Sequence, residues 1–405
     1  MNLSIRPCRR ALGLLRGDAK SLSPEHMSRT ISFSRIVLIL GLVCLHYQEF
    51  PNSQVSPFDG MDPVHHQLAT FINSFMLFLF FSAVPLLSMI SGWLFFAFAR
   101  NPQESASLGL RRRIRRRVSS VYLPLVLWNG LFFVALTALF LLQPGHPLLA
   151  ELNVYFGHDD WLGYVNAVFA VTERPVGYQF WFVRDLFVTV MISPLLWLLL
   201  RRAPYLGMAL LGLAWMAGSG LLIFFRSDVV FFFFLGAFLR VRGISLQINR
   251  NVAWLLMAAY VVLVALRAAA PLAIDMSGGR PEVLTAATRS MRLIGVLACW
   301  GVFQHLVLTR WGSTLSTYGG VAFFLYAAHF PVIAQVKIWL WQGVPAATDG
   351  WMLAHYITTI AVTVTLVLTL AHVLMHWLSG VFAVMNGGRT WSRTAAARTS
   401  AALVN

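Results

Sequence analysis

A succession of apolar stretches, each long enough to cross a bilayer, constrains this chain more than any other feature. A transmembrane helix needs about 20 mostly apolar residues to span a hydrocarbon core roughly 30 Å thick. Such stretches run near 32–50, 72–98, 120–142, 180–200, 204–225, 229–241, 252–270, 291–309, 319–341 and 352–378. None shows the two-residue alternation of a membrane strand, and only helices or closed barrels satisfy their backbone in lipid. The expected fold is all-α: a polytopic membrane helix bundle of about ten transmembrane helices. The sixth stretch, around Phe231 to Phe234, is short, which predicts little tilt or local thinning of the bilayer.

Composition separates this reading from its main competitor. The formal charge of +16 would point to nucleic acid in a soluble chain, but only 11% of the 405 residues are charged and 58% are hydrophobic. A soluble domain is about a quarter charged. The basic residues also gather at the ends of apolar stretches: Arg6, Arg9, Arg10, Arg16, Lys20 and Arg29 before the first, the run Arg111 to Arg117 after the second, and Arg201, Arg202, Arg240, Arg242, Arg310, Arg389 and Arg393 later. Alternate loops carry Glu49, Asp59, Asp62, Glu151, Glu173, Asp228 and Asp349. The positive-inside rule then puts both termini in the cytoplasm, with membrane lipids and no nucleic acid as partners. Residues 1–30 read as a flexible basic cytoplasmic tail without the apolar core of a signal peptide. Residues 31–380 form the transmembrane domain, and 381–405 a short basic cytoplasmic tail. The loop 143–179 is the expected lid or acceptor-facing element. Cys8, Cys44 and Cys299 have neither metal-ligand nor disulfide spacing, and no metal is expected.

Ionisable side chains at bilayer depth cost a few kcal/mol on insertion scales, so each is a functional candidate. Arg35 and His46 stand eleven residues apart, which puts them on one helix face about 16 Å apart along the axis. A guanidinium fork suits phosphates, and a buried imidazole suits proton abstraction from a hydroxyl. The competing roles are a charge flank for Arg35 and an interfacial position for His46. Arg184 and Asp185 lie just inside the fourth stretch; neighbours on a helix diverge by about 100° and are not expected to pair face to face. Tyr318 and His329 also stand eleven apart, with Pro331 beside the histidine. Lys337 is expected to snorkel outward. The arginine run is either a topology determinant that binds anionic lipid or an electropositive mouth for a polyphosphorylated ligand.

Taken in order, these residues resemble the acyltransferase 3 family of membrane-bound bacterial O-acyltransferases that modify surface glycans. Arg35 to His46 is similar to the family's Arg-x10-His motif. Pro85 with Ser91-Gly92-Trp93, Arg112 to Arg116 with Tyr122-Leu123-Pro124, Trp181 to Leu186 with Ser193-Pro194-Leu195-Leu196, Phe231 to Gly236, and Tyr318-Gly319 through His329-Phe330-Pro331 follow collinearly over about residues 31–378. The chain departs from the family where Ser32-Phe33-Ser34 replaces an acidic residue, where Trp93 replaces Phe, and at Gly319-Gly320.

The resemblance implies transfer of an acyl group, most simply acetyl, from cytoplasmic acyl-CoA to a hydroxyl of an extracytoplasmic polysaccharide or lipid-linked sugar. Acetyl-CoA is then a substrate, and no bound cofactor is implied. Arg35, Arg112 and Arg115, with Ser91 and Gly92, would hold the donor. His46 would act as general base or acyl carrier, with Arg184 and Asp185 orienting the sugar or stabilising the oxyanion. Trp181, Tyr318 and His329 would contact the acceptor. The implied location is the bacterial inner membrane, beside polysaccharide assembly machinery. A transporter or flippase for a glycan or other anionic molecule is the alternative, although no internal repeat supports it.

Overall fold

The computed structural model describes residues 22–53, 55–100, 105–151, 161–276, 278–389 and 391. The expected tails therefore lie largely outside the described residues, which contain helices and no strand. Helix α1 (Pro24–Leu45) starts where the Ser23 hydroxyl accepts the His26 N–H at 3.2 Å, with Pro24 supplying a helix-compatible φ. It begins ahead of the apolar stretch it carries. Helices α2 (Gln67–Leu79) and α3 (Ala83–Phe95) run on through a 3₁₀ turn. Helices α4 (Ala106–Arg117) and α5 (Leu123–Leu142) are joined by a π turn at Val118–Tyr122. The side chain of Ser105 caps α4, and Arg115, Arg116 and Arg117 fill its last turn before the π turn.

Helices α6 (Trp181–Met191) and α7 (Ser193–Arg202) meet across Ile192 at a bend of 60°. Pro194, which lacks an N–H, stands at the start of the second limb. Helices α8 (Pro204–Ala217) and α9 (Asp228–Val241) have 14 residues each, about 21 Å and shorter than the hydrocarbon core. They are followed by α10 (Arg250–Ala268), α11 (Glu282–Leu306), α12 (Ala322–Trp341), α13 (Asp349–Trp377) and the short α14 (Ser379–Met385). Each of the ten expected stretches is thus largely helical. Among the described residues, seven helices are long and apolar enough to cross a membrane, with α2–α3 and α4–α5 each counted as one; the bent pair, taken as one span, would make eight. The difference lies in α8 and α9, whose apolar sequence is right but whose length is not.

Helix α1 packs against α2, α3, α11, α12 and α13; Arg35 on it is half-buried, and His46 at its C-cap is buried. The α3–α9 crossing is the closest: a Cβ on Gly92 would strike the Phe233 carbonyl, and one on Gly236 the Met89 carbonyl. Buried charges hold the rest. Asp228 accepts from Arg226 at 2.6 Å and from Arg292 at 3.2 Å. Arg267 donates to the Phe58 and Asp59 carbonyls at 2.9 and 2.8 Å and to Thr288 at 2.8 Å, tying the loop after α1 to α10 and α11. Each guanidinium thereby satisfies polar groups that would be costly to leave buried and alone.

Candidate active site

His46 stands where α1 ends and is 7% exposed. Its partner comes from α12, which breaks just beyond His329. Phe330 adopts φ −112°, ψ 133°, and Pro331 has no N–H to return to the Ala327 carbonyl. Gln179 repairs the gap, its Nε2 donating to the Ala327 and Phe330 carbonyls at 3.1 Å each, while the Tyr326 hydroxyl donates to the Gln179 carbonyl. The His329 ring then lies nearly parallel to that of His46, with its Nε2 2.6 Å from His46 Nδ1. Tyr178 stands edge-on to His46 at 5.0 Å and accepts a hydrogen bond from Gln48 at 3.0 Å.

The hydrogen bonds behind His329 fix its tautomer. Its Nδ1 lies 2.7 Å from the Tyr326 carbonyl and 3.2 Å from the Leu325 carbonyl. A carbonyl only accepts, so Nδ1 carries the proton, and neutral His329 holds its lone pair on Nε2. His46 Nδ1 must then be the donor across the 2.6 Å contact. That leaves His46 Nε2 bare, a base with a second imidazole oriented behind it.

Midway along α1, about three helical turns before His46, the surroundings are cationic. Arg35, Arg117 and Arg389 act on one another electrostatically, and no carboxylate among the described residues acts on any of them. Arg389 donates to the Asn386 carbonyl at 2.9 Å and the Ser120 carbonyl at 3.4 Å, and its guanidinium sits 4.5 Å over the Phe323 ring. Burial, then Arg35 and Arg117, push Arg389 down to about 9. Asn386 holds this turn in place: its Nδ2 donates to the Gly320 and Arg389 carbonyls, and its Oδ1 accepts the Phe324 N–H. Three guanidinium groups without a counter-ion suit a phosphate-bearing ligand.

His46 thus stands about three helical turns along α1 from the cationic cluster around Arg35. Residues 30–385 match the family model described as an acyltransferase domain, Acyl_transf_3. The chain belongs to the acyltransferase 3 family. This acyltransferase is also similar to the succinoglycan biosynthesis protein ExoH of Rhizobium meliloti (strain 1021), 27% identical over 374 residues, which are 91% of this chain and 94% of that protein. No solved structure matches it. The acyltransferase is thus a multi-pass membrane enzyme of the O-acyltransferase class.

Several expected site residues of the acyltransferase stand elsewhere. Arg184 and Asp185 do pair, Nη1 to Oδ1 at 2.9 Å, because the long arginine stem folds back along the helix. Arg184 also donates to the Ala170, Val171 and Ile223 carbonyls, and Asp185 accepts the Phe225 and Arg226 N–H groups at 3.2 and 2.9 Å. The pair fastens two loops to α6, and its hydrogen bonds do not reach His46. The Trp181 ring is half-buried and carries the Arg226 guanidinium over it at 4.8 Å. Tyr318 sits in a 3₁₀ turn before α12 and packs on Trp391 at 5.6 Å, away from His46. His329 is fully buried behind His46, a position for orienting the base and not for touching a glycan.

Donor-side expectations shift as well. Gly92 is consumed by the α3–α9 crossing, where no ligand fits beside its Cα; Ser91 precedes it on the same helix. Arg112 and Arg115 are exposed, and Arg113 and Arg117 are the members of the run turned inward. Lys337 is buried, 5% exposed, rather than snorkelling. Gln179 and Arg389 are the residues that the sequence did not single out, and within the arginine run it did not distinguish Arg117. Pro331 alone could have signalled Gln179, since a proline at helix depth demands a donor for the carbonyl it strands.

Proposed function

We propose that the protein moves an acyl group, in the simplest case acetyl, from cytoplasmic acyl-CoA to a hydroxyl of an exopolysaccharide or its lipid-linked precursor. The single observation that carries this reading is the bare His46 Nε2 implied by the carbonyl–His329–His46 relay. The acceptor oxygen attacks the thioester carbonyl carbon as its proton passes to His46 Nε2. The tetrahedral intermediate collapses, the C–S bond breaks, and the proton returns from His46 to the leaving thiolate, releasing free thiol and ester. His329 accepts the His46 Nδ1–H throughout and stabilises the transient imidazolium, the role a carboxylate plays in a serine-hydrolase triad.

The phosphorylated end of the donor rests among Arg35, Arg117 and Arg389, and its arm follows α1 toward His46. Cytoplasmic termini and an inner-membrane location agree with the basic residues gathered at the Arg35 end. Exopolysaccharide as acceptor class rests on the similarity to a succinoglycan biosynthesis protein, and contact with polysaccharide assembly machinery follows from that class. The test is label transfer in proteoliposomes: labelled acetyl-CoA on the Arg35 side should leave covalent label on glycan on the other side, and His46→Ala protein should leave none. Transport of label without ester formation would instead identify a transporter.

A further inference from the structure

A cavity of about 400 Å³ opens at the His46 end of the bundle, within the size range of small-ligand sites. Its walls come from the segments that carry the two histidines. Glu49 and Phe50 follow His46 by three and four residues, where Gln48 turns the chain at φ 59°. Lys337, Trp341 and Gln342 come from the limb of α12 beyond its break, and Glu151 from the loop after α5. The base and the cavity are therefore built on shared backbone.

The lining chemistry is specific. Lys337 is 5% exposed, yet its nearest counter-charge, Glu151 Oε1, stands 3.7 Å away, longer than a charge-assisted hydrogen bond. An ammonium has three donors, so Lys337 retains donors for a ligand. The wall behind it is rigid: the Tyr47 hydroxyl donates to His355 Nδ1 at 2.8 Å, and His355 Nε2 donates to the Lys337 carbonyl at 3.0 Å. Glu49 is exposed, Glu151 is partly exposed, and Trp341 offers an indole held edge-on by His355 at 5.0 Å. Two carboxylates accept hydroxyl protons, Lys337 and Gln342 donate, and the indole covers an apolar ring face. Two acidic side chains against one basic side chain leave the lining net negative, which disfavours an anionic ligand.

We propose that this cavity is the acceptor subsite and that it takes a neutral pyranose residue of the glycan in preference to a uronic acid. The proposal rests on the acyl-transfer reading and names its acceptor class. Trp341 and Glu49 hold the sugar; Lys337 and Glu151 read its hydroxyls; His46 receives the proton of the hydroxyl presented to it.

The experiment measures acceptor binding separately from turnover. A neutral gluco-oligosaccharide and a polygalacturonate oligomer of matched length are offered to the nanodisc-embedded protein, and binding is read by saturation-transfer NMR without donor. The neutral oligosaccharide should bind the wild-type protein and Trp311→Ala, whose indole is 84% exposed and outside the cavity. Binding should weaken about tenfold or more in Trp341→Ala and Glu49→Gln, with acetyl-CoA affinity unchanged as evidence of folding. Equal binding by the variants, no binding by the wild type, or preference for the polyuronate overturns the proposal. Acetyl transfer on the same samples tests the underlying reading independently.

Discussion

His46 Nδ1 and His329 Nε2 lie 2.6 Å apart although 283 residues separate them in the chain. The contact joins the end of α1 to the break in α12 and gives the base its direction. Because the proton on His329 is committed to a backbone carbonyl, the relay runs one way, and only the outer nitrogen of His46 remains open to a substrate.

Removing the orienting ring should therefore damage the chemical step and spare binding. In His329→Ala, kcat should fall about 10²- to 10⁴-fold with the donor KM unchanged. His329→Gln should recover part of the loss, because its side-chain carbonyl can accept the His46 Nδ1–H. Steady-state kinetics on both variants in nanodiscs check this, and a Gln variant as inactive as the Ala variant argues for a packing role.

The anion cradle predicts the opposite split. Arg117→Ala and Arg389→Ala should each raise the donor KM about tenfold while leaving kcat nearly intact, whereas Arg112→Ala and Arg115→Ala should stay close to wild type. Donor KM should also climb with ionic strength, since the cradle works by charge. Titration of acetyl-CoA at two salt concentrations reads both effects.

Gln179 should matter for stability first. Gln179→Leu strands the Ala327 and Phe330 carbonyls, at a cost of about 2 kcal/mol for each buried group left unpaired. Thermal unfolding in detergent should show a lower Tm, accompanied by reduced activity because the break in α12 positions His329.

Two sets of substitutions distinguish packing from chemistry. Gly92→Ala and Gly236→Ala place a methyl against a facing carbonyl and should reduce the yield of folded protein, while Gly350→Ala, with open space around its Cα, should not. Asp185→Asn removes an acceptor for the Phe225 and Arg226 N–H groups and weakens the Arg184 pair. It should lower Tm by the equivalent of about 2–3 kcal/mol while the folded fraction keeps its acceptor KM. Size-exclusion profiles, Tm and kinetics on the same preparations test these outcomes; an Asp185→Asn protein of normal Tm and abolished kcat would restore the catalytic role to that carboxylate.

The apolar pattern made the helical class and most helix positions legible, because hydrophobic length in lipid leaves few alternatives. It misjudged α8 and α9, where composition matches a crossing but helix length is set by Pro204, Gly218 and Asp228. Arg35 and His46 were readable as a pair because eleven residues close three turns on one straight helix. The same arithmetic misled at Tyr318 and His329, since a 3₁₀ turn intervenes and the rotation per residue is no longer that of an α-helix. The arginine run was readable as basic but not in its facing: a π turn follows it, and the surface turned inward belongs to Arg113 and Arg117. Contacts such as Gln179 with α12 or Arg389 with Ser120 are long-range and leave no local periodicity to find.

Asn386 also changes where this protein can be cut. By binding Gly320, Phe324 and Arg389 together, it staples the chain beyond the last long helix back beneath the start of α12. A boundary drawn at residue 380, where the hydrophobic sequence ends, would discard one of the three guanidinium groups of the cradle and the clasp under the helix that carries His329. For truncation, tagging or domain grafting, the functional unit extends at least to Arg389, past the point where lipid ceases to dictate the sequence.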